Sequence, residues 1–230
     1  MAEDRSQVFA ERPTEWLVPD AYRFGSIVLA ASALAGIVGA TSLAVLLFGL
    51  ALFVAAFFRN PERAVPGDDD VVVAPADGKV IEVGETELAD GSKALRIGIF
   101  LSIFDVHVNR APVSGRVVAI EKSGNAYLAA FDADAPRRNV RCDLTLETEA
   151  GERVVVSQIT GLIARRIVCY PEIGEWVERG ARYGLIRFGS RTDVVLPPEC
   201  EAKVSHGERV RGGESVVARR RATTAAEAAE

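Results

Sequence analysis

The pattern of hydrophobic and polar positions divides the chain into two parts. No charged residue occurs from Gly25 to Phe58, a run longer than the roughly 20 apolar residues of one membrane-spanning helix. As a single helix the run would be about 50 Å long, whereas the hydrocarbon core of a bilayer is about 30 Å thick. We therefore predict a helical hairpin, about Phe24–Val38 and Leu43–Phe58, with a turn near Gly39–Ser42. Its short arms favour a re-entrant or tilted hairpin, and one long tilted helix is the alternative.

Basic residues flank the uncharged run on both sides. Arg23 precedes it, and Arg59 and Arg63 follow it. Because basic flanks stay on the cytoplasmic side, a hairpin puts both ends of the chain there. The acidic, mixed-charge start of the chain and the late onset of the run argue against a signal peptide. We therefore predict a cell-membrane protein whose larger domain is cytoplasmic.

After Pro61 the pattern changes to short Val/Ile-rich runs between Gly, Asp and Pro turns. Short strands at this spacing predict an all-β sandwich or barrel, and no long amphipathic helix is indicated. The predicted strands are Val71–Ala74, Lys79–Val83, Leu95–Ser102, Gly115–Lys122, Val140–Glu147, Arg153–Ile159, Ile167–Cys169, Arg182–Phe188, Asp193–Leu196 and Ser215–Ala218.

Two pairs of segments repeat within this β region. Residues 74–80 (Ala-Pro-Ala-Asp-Gly-Lys-Val) are similar to residues 111–117 (Ala-Pro-Val-Ser-Gly-Arg-Val), and residues 173–180 are similar to residues 205–212. Proline fixes φ and glycine permits positive φ, so each unit predicts a tight turn that leads into a strand. Such turns resemble those of the lipoyl/biotinyl-type β-sandwich.

The domain organisation follows from these patterns. We predict an N-terminal cytoplasmic segment (1–23), the membrane hairpin (24–58), an all-β domain (59–218) and a disordered tail (219–230) that is rich in Ala, Thr and charged residues. The polar stretch Tyr127–Asn139 is predicted to be a loop.

Composition excludes several classes of function. The net charge of −5 and the pI near 5.3 argue against nucleic acid as a partner, since phosphate binding needs a basic face. The three cysteines, Cys142, Cys169 and Cys200, lack CxxC spacing, which disfavours structural zinc or a disulfide framework and favours a reducing compartment. Only His107 and His206 could supply an imidazole, and their separation does not match a metal site.

Three residues are candidates for chemistry, although none is distinctive alone. His107 lies in a strand-like run, Asp77 follows Pro75-Ala76 where aspartate commonly forms turns, and Ser190 follows Gly189 in another turn-like pair. The order in which their surrounding motifs occur carries more information than any one motif.

That order resembles a known family. The hydrophobic hairpin, then residues 59–63 (Arg-Asn-Pro-Glu-Arg), 74–80, 100–112 (Phe-Leu-Ser-Ile-Phe-Asp-Val-His-Val-Asn-Arg-Ala-Pro) and 187–190 (Arg-Phe-Gly-Ser) look like the short bacterial and archaeal type of phosphatidylserine decarboxylase proenzyme. The resemblance covers roughly residues 20–218.

The resemblance implies self-cleavage between Gly189 and Ser190. Ser190 Oγ would attack the carbonyl of Gly189, and elimination and loss of ammonia would leave a covalent pyruvoyl cofactor on an α chain (190–230) that stays associated with a β chain (1–189). The pyruvoyl ketone would form a Schiff base with phosphatidylserine, and loss of CO₂ would give phosphatidylethanolamine. His107 would be the general acid, and Asp77 the partner in self-cleavage. Membrane lipids are implied partners, and both the lipid tails and a homodimer are left open.

One position departs from the family pattern. Longer members carry a second histidine, the base for self-cleavage, where this chain has Arg110, and arginine cannot act as a base at ordinary pH. Either His107 serves both steps, or Asp77 or a water activates Ser190. His206 lies in a turn repeat and is not expected to be catalytic.

Two non-enzymatic alternatives share some of these features. A membrane-anchored adaptor of the membrane-fusion class also has an anchor and lipoyl-like turns, but it needs a long helical hairpin between the repeats. A biotin or lipoate carrier needs a lysine at the hairpin tip, and the turns around Gly174 and Gly207 carry none. Three arginines could contact phosphate, although a solvated surface is the simpler interpretation: Arg137, Arg138 and Arg191.

Overall fold

The computed structural model describes residues 16–88, 90–162, 166–186 and 190–220. Three predictions therefore lie partly or wholly outside the described residues: the scission residue Gly189, most of the N-terminal segment 1–23 and most of the tail 219–230.

Two helices open the described chain, α1 (Pro19–Ile37) and α2 (Thr41–Phe57). Pro19 starts α1, where its fixed φ suits the first turn and its missing N–H is not needed. Gly39 has a φ of 76° in the three-residue connection, and the helices pack side by side, with Ser32 Oγ donating to Ala44 O at 2.7 Å. In the described part of the chain, no helix combines the length and apolar character needed to cross a bilayer.

The remainder is mainly β, which confirms that part of the predicted fold class. All strand pairings are antiparallel, in one eight-stranded sheet of order β13-β2-β3-β11-β7-β6-β5-β9 and two three-stranded sheets, β1-β14-β12 and β4-β10-β8. The strands are β1 (Val71–Val73), β2 (Gly78–Glu87), β3 (Lys93–Leu101), β4 (Val108–Arg110), β5 (Gly115–Ser123), β6 (Arg141–Glu147), β7 (Arg153–Thr160), β8 (Ile167–Cys169), β9 (Trp176–Val177), β10 (Arg182–Ile186), β11 (Ser190–Leu196), β12 (Glu201–Ala202), β13 (Arg209–Val210) and β14 (Val216–Arg219).

Each of the ten predicted segments contains a strand, although Phe188 lies outside the described residues. The prediction missed β4, β9, β12 and β13, which are only two or three residues long and show no readable alternation. It also missed α3 (Ala135–Arg138), a single turn with Pro136 at its start, inside the stretch predicted as a loop.

The internal repeats make matching contacts. The N–H of Gly174 donates to Val117 O at 2.7 Å, and the N–H of Gly207 donates to Val80 O at 2.8 Å. In return, the N–H groups of Val117 and Val80 donate, both at 2.8 Å, to the backbone carbonyl of the glutamate that follows each glycine, Glu175 or Glu208. The two glycines have φ values of 93° and 92°, which is why glycine is needed there. Each repeat is thus one turn paired with the start of one long strand, β5 or β2.

Two apolar clusters position the site. The larger fills the space between the sheets, with Ile97, Leu144 and Val194 among its members. The smaller joins the helix pair to the β domain, where Phe57 and Phe58 pack with Val18, Val106, Val108 and Leu185. The end of α2 is therefore fixed against the segment that leads into β4.

Candidate active site

Ser190 is the first residue of β11 and is fully buried. It pairs with Leu101 of β3 on one side and Thr160 of β7 on the other. Among the described residues, no group hydrogen-bonds its Oγ. An unsatisfied buried hydroxyl costs about 1–3 kcal/mol, so a residue retained in this state calls for a reason beyond packing. A nucleophile whose lone pairs are not engaged elsewhere provides one.

A row of buried polar side chains lies beside Ser190. Thr192 is on the same face of β11 because side chains alternate along a strand, and Thr160 and Gln158 stand opposite on β7. Asn109 of β4 completes this group, in which Gln158 Nε2 donates to Asn109 Oδ1 at 2.8 Å and Asn109 Nδ2 donates to Thr192 Oγ1 at 3.4 Å. We call Asn109, Gln158, Thr160 and Thr192 the polar wall; all four are fully buried.

A glycine makes room for the polar wall. A Cβ at Gly184 of β10 would lie 2.6 Å from Gln158 Nε2 and 2.5 Å from Val168 O. The Gln158 amide therefore occupies the space between the eight-stranded sheet and the β4-β10-β8 sheet. Within the described residues its Oε1 has no hydrogen-bond partner, which leaves a buried acceptor in the wall.

His107 immediately precedes β4 and is fully buried. Its Nδ1 lies 2.9 Å from Asp105 O. Since a carbonyl oxygen only accepts, Nδ1 carries the hydrogen and Nε2 carries the lone pair. The ring lies 4.1 Å, centroid to centroid, from the ring of Phe57 at the end of α2.

Burial controls the protonation of His107. It lowers the pKa of His107 from 6.5 to about 4, and the Arg59 charge acts in the same direction, against opposing effects of Asp105. The imidazole is therefore neutral at pH 7, with its lone pair on Nε2. This is the state in which histidine acts as a general base.

The backbone brings His107 to the predicted scission segment. The N–H of Ile186, the last residue of β10, donates to His107 O at 3.4 Å. Ser190 follows four residues later, a separation that an extended chain spans in at most about 14 Å. The predicted scission bond thus lies in a short connection that starts beside His107 and ends at the buried serine. Gly189 itself lies outside the described residues.

Asp77 lies in a different neighbourhood. Its carboxylate accepts from Arg63 Nη2 at 2.9 Å and from the N–H of Gly212 at 2.8 Å. In the other repeat, Ser114 Oγ accepts the N–H of Arg179 at 2.9 Å in the equivalent place. Lys79, two residues after Asp77, pairs with Phe100 of β3, and Phe100 pairs with Arg191 of β11. Two strand spacings, about 10 Å, therefore separate Lys79 from Arg191, the residue next to Ser190.

Arg110, at the position of the expected second histidine, is part of a structural contact. Its guanidinium donates to Asn60 Oδ1 at 2.8 Å, Pro61 O at 2.9 Å and Gly180 O at 3.0 Å. Burial lowers its pKa to about 10, so it stays charged at neutral pH. Arg110 therefore fixes the segment after α2 to the β domain.

The other singled-out residues are placed as follows. His206 is exposed in the turn before β13. Arg137 is exposed and pairs with Asp134. Interpreting Arg191 as a solvated surface residue was wrong: it is buried on the opposite face of β11, bonded to Asp193 and Glu82. Among the described residues, no group of three or more His, Cys, Asp or Glu side chains is placed to hold a metal.

Sequence reasoning missed the polar wall. Gln158 and Thr160 end one Val-rich strand, and Thr192 lies at the start of another. Polar residues at strand ends are ordinary, and only the register between β7 and β11 brings these together. Asn109 lies within the motif at residues 100–112, but the motif alone does not show that its side chain faces Gln158.

Comparison with known proteins identifies the family of this chain. A family model described as phosphatidylserine decarboxylase matches residues 50–218. The phosphatidylserine decarboxylase proenzyme of Symbiobacterium thermophilum is 50% identical over 180 residues, 77% of this chain and 84% of the relative. The proenzyme of Geotalea uraniireducens is 50% identical over 72% of this chain and 78% of the relative. The proenzyme of Geobacter sulfurreducens is 51% identical over 72% of this chain and 77% of the relative. The chain belongs to the phosphatidylserine decarboxylase family, which confirms the resemblance found in the sequence.

Proposed function

We propose that this chain is a self-cleaving precursor that becomes a pyruvoyl-dependent enzyme and converts phosphatidylserine to phosphatidylethanolamine. The observation that carries the proposal is Ser190, whose buried Oγ starts β11 without a hydrogen-bond partner among the described residues. Neutral His107 lies beside the connection that leads to it.

Self-cleavage begins at Ser190 Oγ. His107 Nε2 takes the hydroxyl proton as the oxygen bonds to the carbonyl carbon of Gly189. The C–N bond breaks, the nitrogen of Ser190 gains the proton, and an ester remains. Removal of the Cα proton of Ser190 then breaks the Cβ–Oγ bond and releases residue 189 as a carboxylate. Water replaces the nitrogen, which leaves as ammonia.

The surroundings of Ser190 fit a small carbonyl-bearing group. Its side chain is fully enclosed between Leu101 and Thr160. The Thr192 hydroxyl, which accepts from Asn109 Nδ2, can donate to a carbonyl oxygen, and Gln158 Oε1 is a spare acceptor for an N–H of the substrate amine. A pyruvoyl group at this position would supply a ketone able to bond the substrate amine and to take up electrons as CO₂ leaves.

His107 accepts and donates protons during decarboxylation. Its Nε2 takes a proton from the ammonium of the substrate and returns one to the carbon that has lost CO₂. The negative charges of the lipid head group raise the pKa of a nearby imidazole, so the bound substrate increases the fraction of His107 that is protonated and can donate a proton at neutral pH. In this proposal one histidine serves both steps, including the step for which longer family members use the histidine that Arg110 replaces.

The two products of cleavage stay together. Residues 190–220 supply β11, which lies between β3 and β7, as well as β13 beside β2 and β14 between β1 and β12. Separating the α chain would expose the buried face of β11 and break its hydrogen bonds on both sides. We infer that the two chains form a non-covalent complex.

The helix pair attaches the protein to the cell membrane. Supporting this are the uncharged run 25–58 and the many exposed apolar side chains of both helices, including Ile27, Leu34, Leu46 and Leu52. Basic flanks favour the cytoplasmic side for the catalytic domain. The repeated turns are interpreted as lipoyl-like, because each pairs a positive-φ glycine with a strand in the same way.

Mass analysis combined with a decarboxylation assay tests the proposal. Under denaturing conditions the purified protein is expected to give residues 1–189 and a fragment of 41 residues, 190 to 230, with a ketone-reactive N-terminus. Under native conditions the two should migrate together and release CO₂ from phosphatidylserine. An intact chain alone, or a cleaved one without decarboxylase activity, would contradict the proposal.

Asp77 is our candidate partner in self-cleavage, acting through its charge and through the position of Arg63. In Asp77→Asn the amide oxygen keeps the bond to Gly212 N–H but loses the Arg63 ion pair. We expect self-cleavage to slow about tenfold, as for loss of a roughly 1.4 kcal/mol electrostatic contribution, measured by the appearance of the 41-residue fragment over time.

Asp70 provides the matched control for Asp77. Its carboxylate is also paired with an arginine, Arg219, at 2.8 and 2.9 Å, but it precedes β1 away from β11. Asp70→Asn should cleave at the normal rate. If Asp77→Asn does so too, Asp77 is only a turn residue like Ser114.

A further inference from the structure

Exposed apolar side chains gather at the end of the sheet where Ser190 lies. Leu101, Ser190 and Thr160 stand in one row across β3, β11 and β7. The segments that follow β3 and β7 therefore emerge at this same end. Both carry exposed apolar side chains: Phe104 is 73% exposed, Leu162 68% and Ile103 39%.

The helix pair leaves the β domain at the same place. Arg59, just after α2, donates from Nη2 to Phe104 O at 2.8 Å. The N–H of Asn60 donates to the carbonyl of Trp16, which is 70% exposed. We call Trp16, Ile103, Phe104 and Leu162 the apolar rim. Trp16 and Phe104 thus lie at the base of the helices, and Ile103 and Leu162 lie in the segments that leave the same end of the sheet.

The loop that carries Phe104 is held in a defined shape. The Asp105 carboxylate accepts from the Ser102 N–H at 2.8 Å and from Ser102 Oγ at 2.7 Å, and it also binds Arg209. The carbonyl of the same Asp105 orients His107. One short loop therefore holds an aromatic side chain outward and the catalytic base inward.

We propose that the apolar rim docks onto the surface of a phospholipid bilayer, with Ile103, Phe104 and Leu162 seated at the boundary between head groups and acyl chains. The proposal rests on the proposed function and extends it, since it assigns membrane contact to the catalytic domain itself rather than to the helices alone. Clustered exposed apolar side chains mark interaction surfaces, and aromatic residues favour the membrane interface.

Two further observations select a lipid surface as the partner. Hydrogen bonds join Phe104 and Trp16 of the rim to Arg59 and Asn60, just after α2, and both helices carry many exposed apolar side chains. Basic Arg23 and Arg166, which follow Trp16 by seven residues and Leu162 by four, are exposed, and cations near apolar side chains suit an anionic bilayer. Because His107 is three residues from Phe104, docking brings head groups within a loop's length of the base, so that the lipid tails can stay in the bilayer.

Comparing two substrates separates docking from catalysis. Full-length Phe104→Ser is expected to lose about ten- to a hundredfold in decarboxylation of phosphatidylserine in phosphatidylcholine vesicles, as for the loss of one buried aromatic side chain. Activity on monomeric short-chain phosphatidylserine and self-cleavage should be unchanged. Ile173→Ser is the matched control, since Ile173 is 67% exposed near β9, at the far edge of the large sheet, and should change neither activity.

A second measurement does not depend on activity. With Trp16 and Trp176 replaced by phenylalanine, Phe104→Trp should be quenched by vesicles containing lipids brominated in the acyl chains, and Ile173→Trp should not. Equal losses on both substrates, no loss on vesicles, or no quenching of Phe104→Trp would overturn the docking proposal. A wild-type protein that decarboxylates neither substrate would instead contradict the proposed function, and quenching would still decide the docking.

Discussion

Replacing Ser190 by alanine is expected to abolish both self-cleavage and decarboxylation. The hydroxyl is the nucleophile and later the leaving group, and no neighbouring side chain can supply both. Denaturing mass analysis should show only the intact chain, and CO₂ release from phosphatidylserine should fall to the level without protein. Persistence of either activity would contradict the role of Ser190.

The same variant should fold normally. The Oγ of Ser190 has no hydrogen-bond partner among the described residues, so removing it strands no donor or acceptor that the structure describes. The free energy of unfolding should therefore not fall, and it should rise by up to about 1–3 kcal/mol, the cost of the unsatisfied hydroxyl. Because the wild-type chain cleaves itself, the unfolding free energy of Ser190→Ala must be compared with that of an uncleaved form. Freshly translated precursor, or Ser190→Cys isolated before cleavage, serves as this reference. Ser157→Ala, a buried serine of β7 on the opposite face, is the control and should cleave completely.

Replacing His107 by glutamine is expected to slow self-cleavage by about 10²–10⁴-fold, the usual contribution of a general base. Glutamine keeps a polar side chain against Phe57 but cannot take a proton at neutral pH. The rate is measured on freshly translated precursor. His206→Gln, which changes the exposed second histidine, is the matched control and should cleave at the normal rate; equal slowing of both would exclude a specific role for His107.

The pH dependence of this prediction follows from the lowered pKa of His107. Self-cleavage should stay constant from pH 8 to about 5 and halve near pH 4, since only then is Nε2 protonated. Halving near pH 6.5 would show that the imidazole is not buried in the precursor.

Stability should change in the same range. As pH falls from 6.5 toward 4, the unfolded chain binds a proton at His107 that the folded chain does not, so the folded state loses stability. The difference of about 2.5 pH units corresponds to about 3 kcal/mol at most. Ser190→Ala should therefore lose more unfolding free energy over this range than Ser190→Ala combined with His107→Gln, measured by denaturant unfolding.

The departure at position 110 shows why a motif is not a geometry. The sequence showed that Arg110 cannot be a base, and it left three candidates to activate Ser190. The structure places Arg110 in contact with Asn60 and Pro61, where a long, charged side chain satisfies buried carbonyl and amide oxygens. The position of a residue in a short strand does not reveal which groups its side chain contacts, because that depends on what packs against each face of the strand.

The sequence by itself determined the class of fold, the repeated turns and the identity of Ser190 and His107 as candidates. These follow from local physics: runs of Val and Ile between turn residues form strands, and an ordered set of short motifs is unlikely to arise by chance. Only the tertiary structure decided that Gln158, Thr160 and Thr192 face the serine, that burial keeps His107 neutral, and that Asp77 binds Arg63. Register, burial and charge pairing arise between segments far apart in the chain, so no local pattern records them.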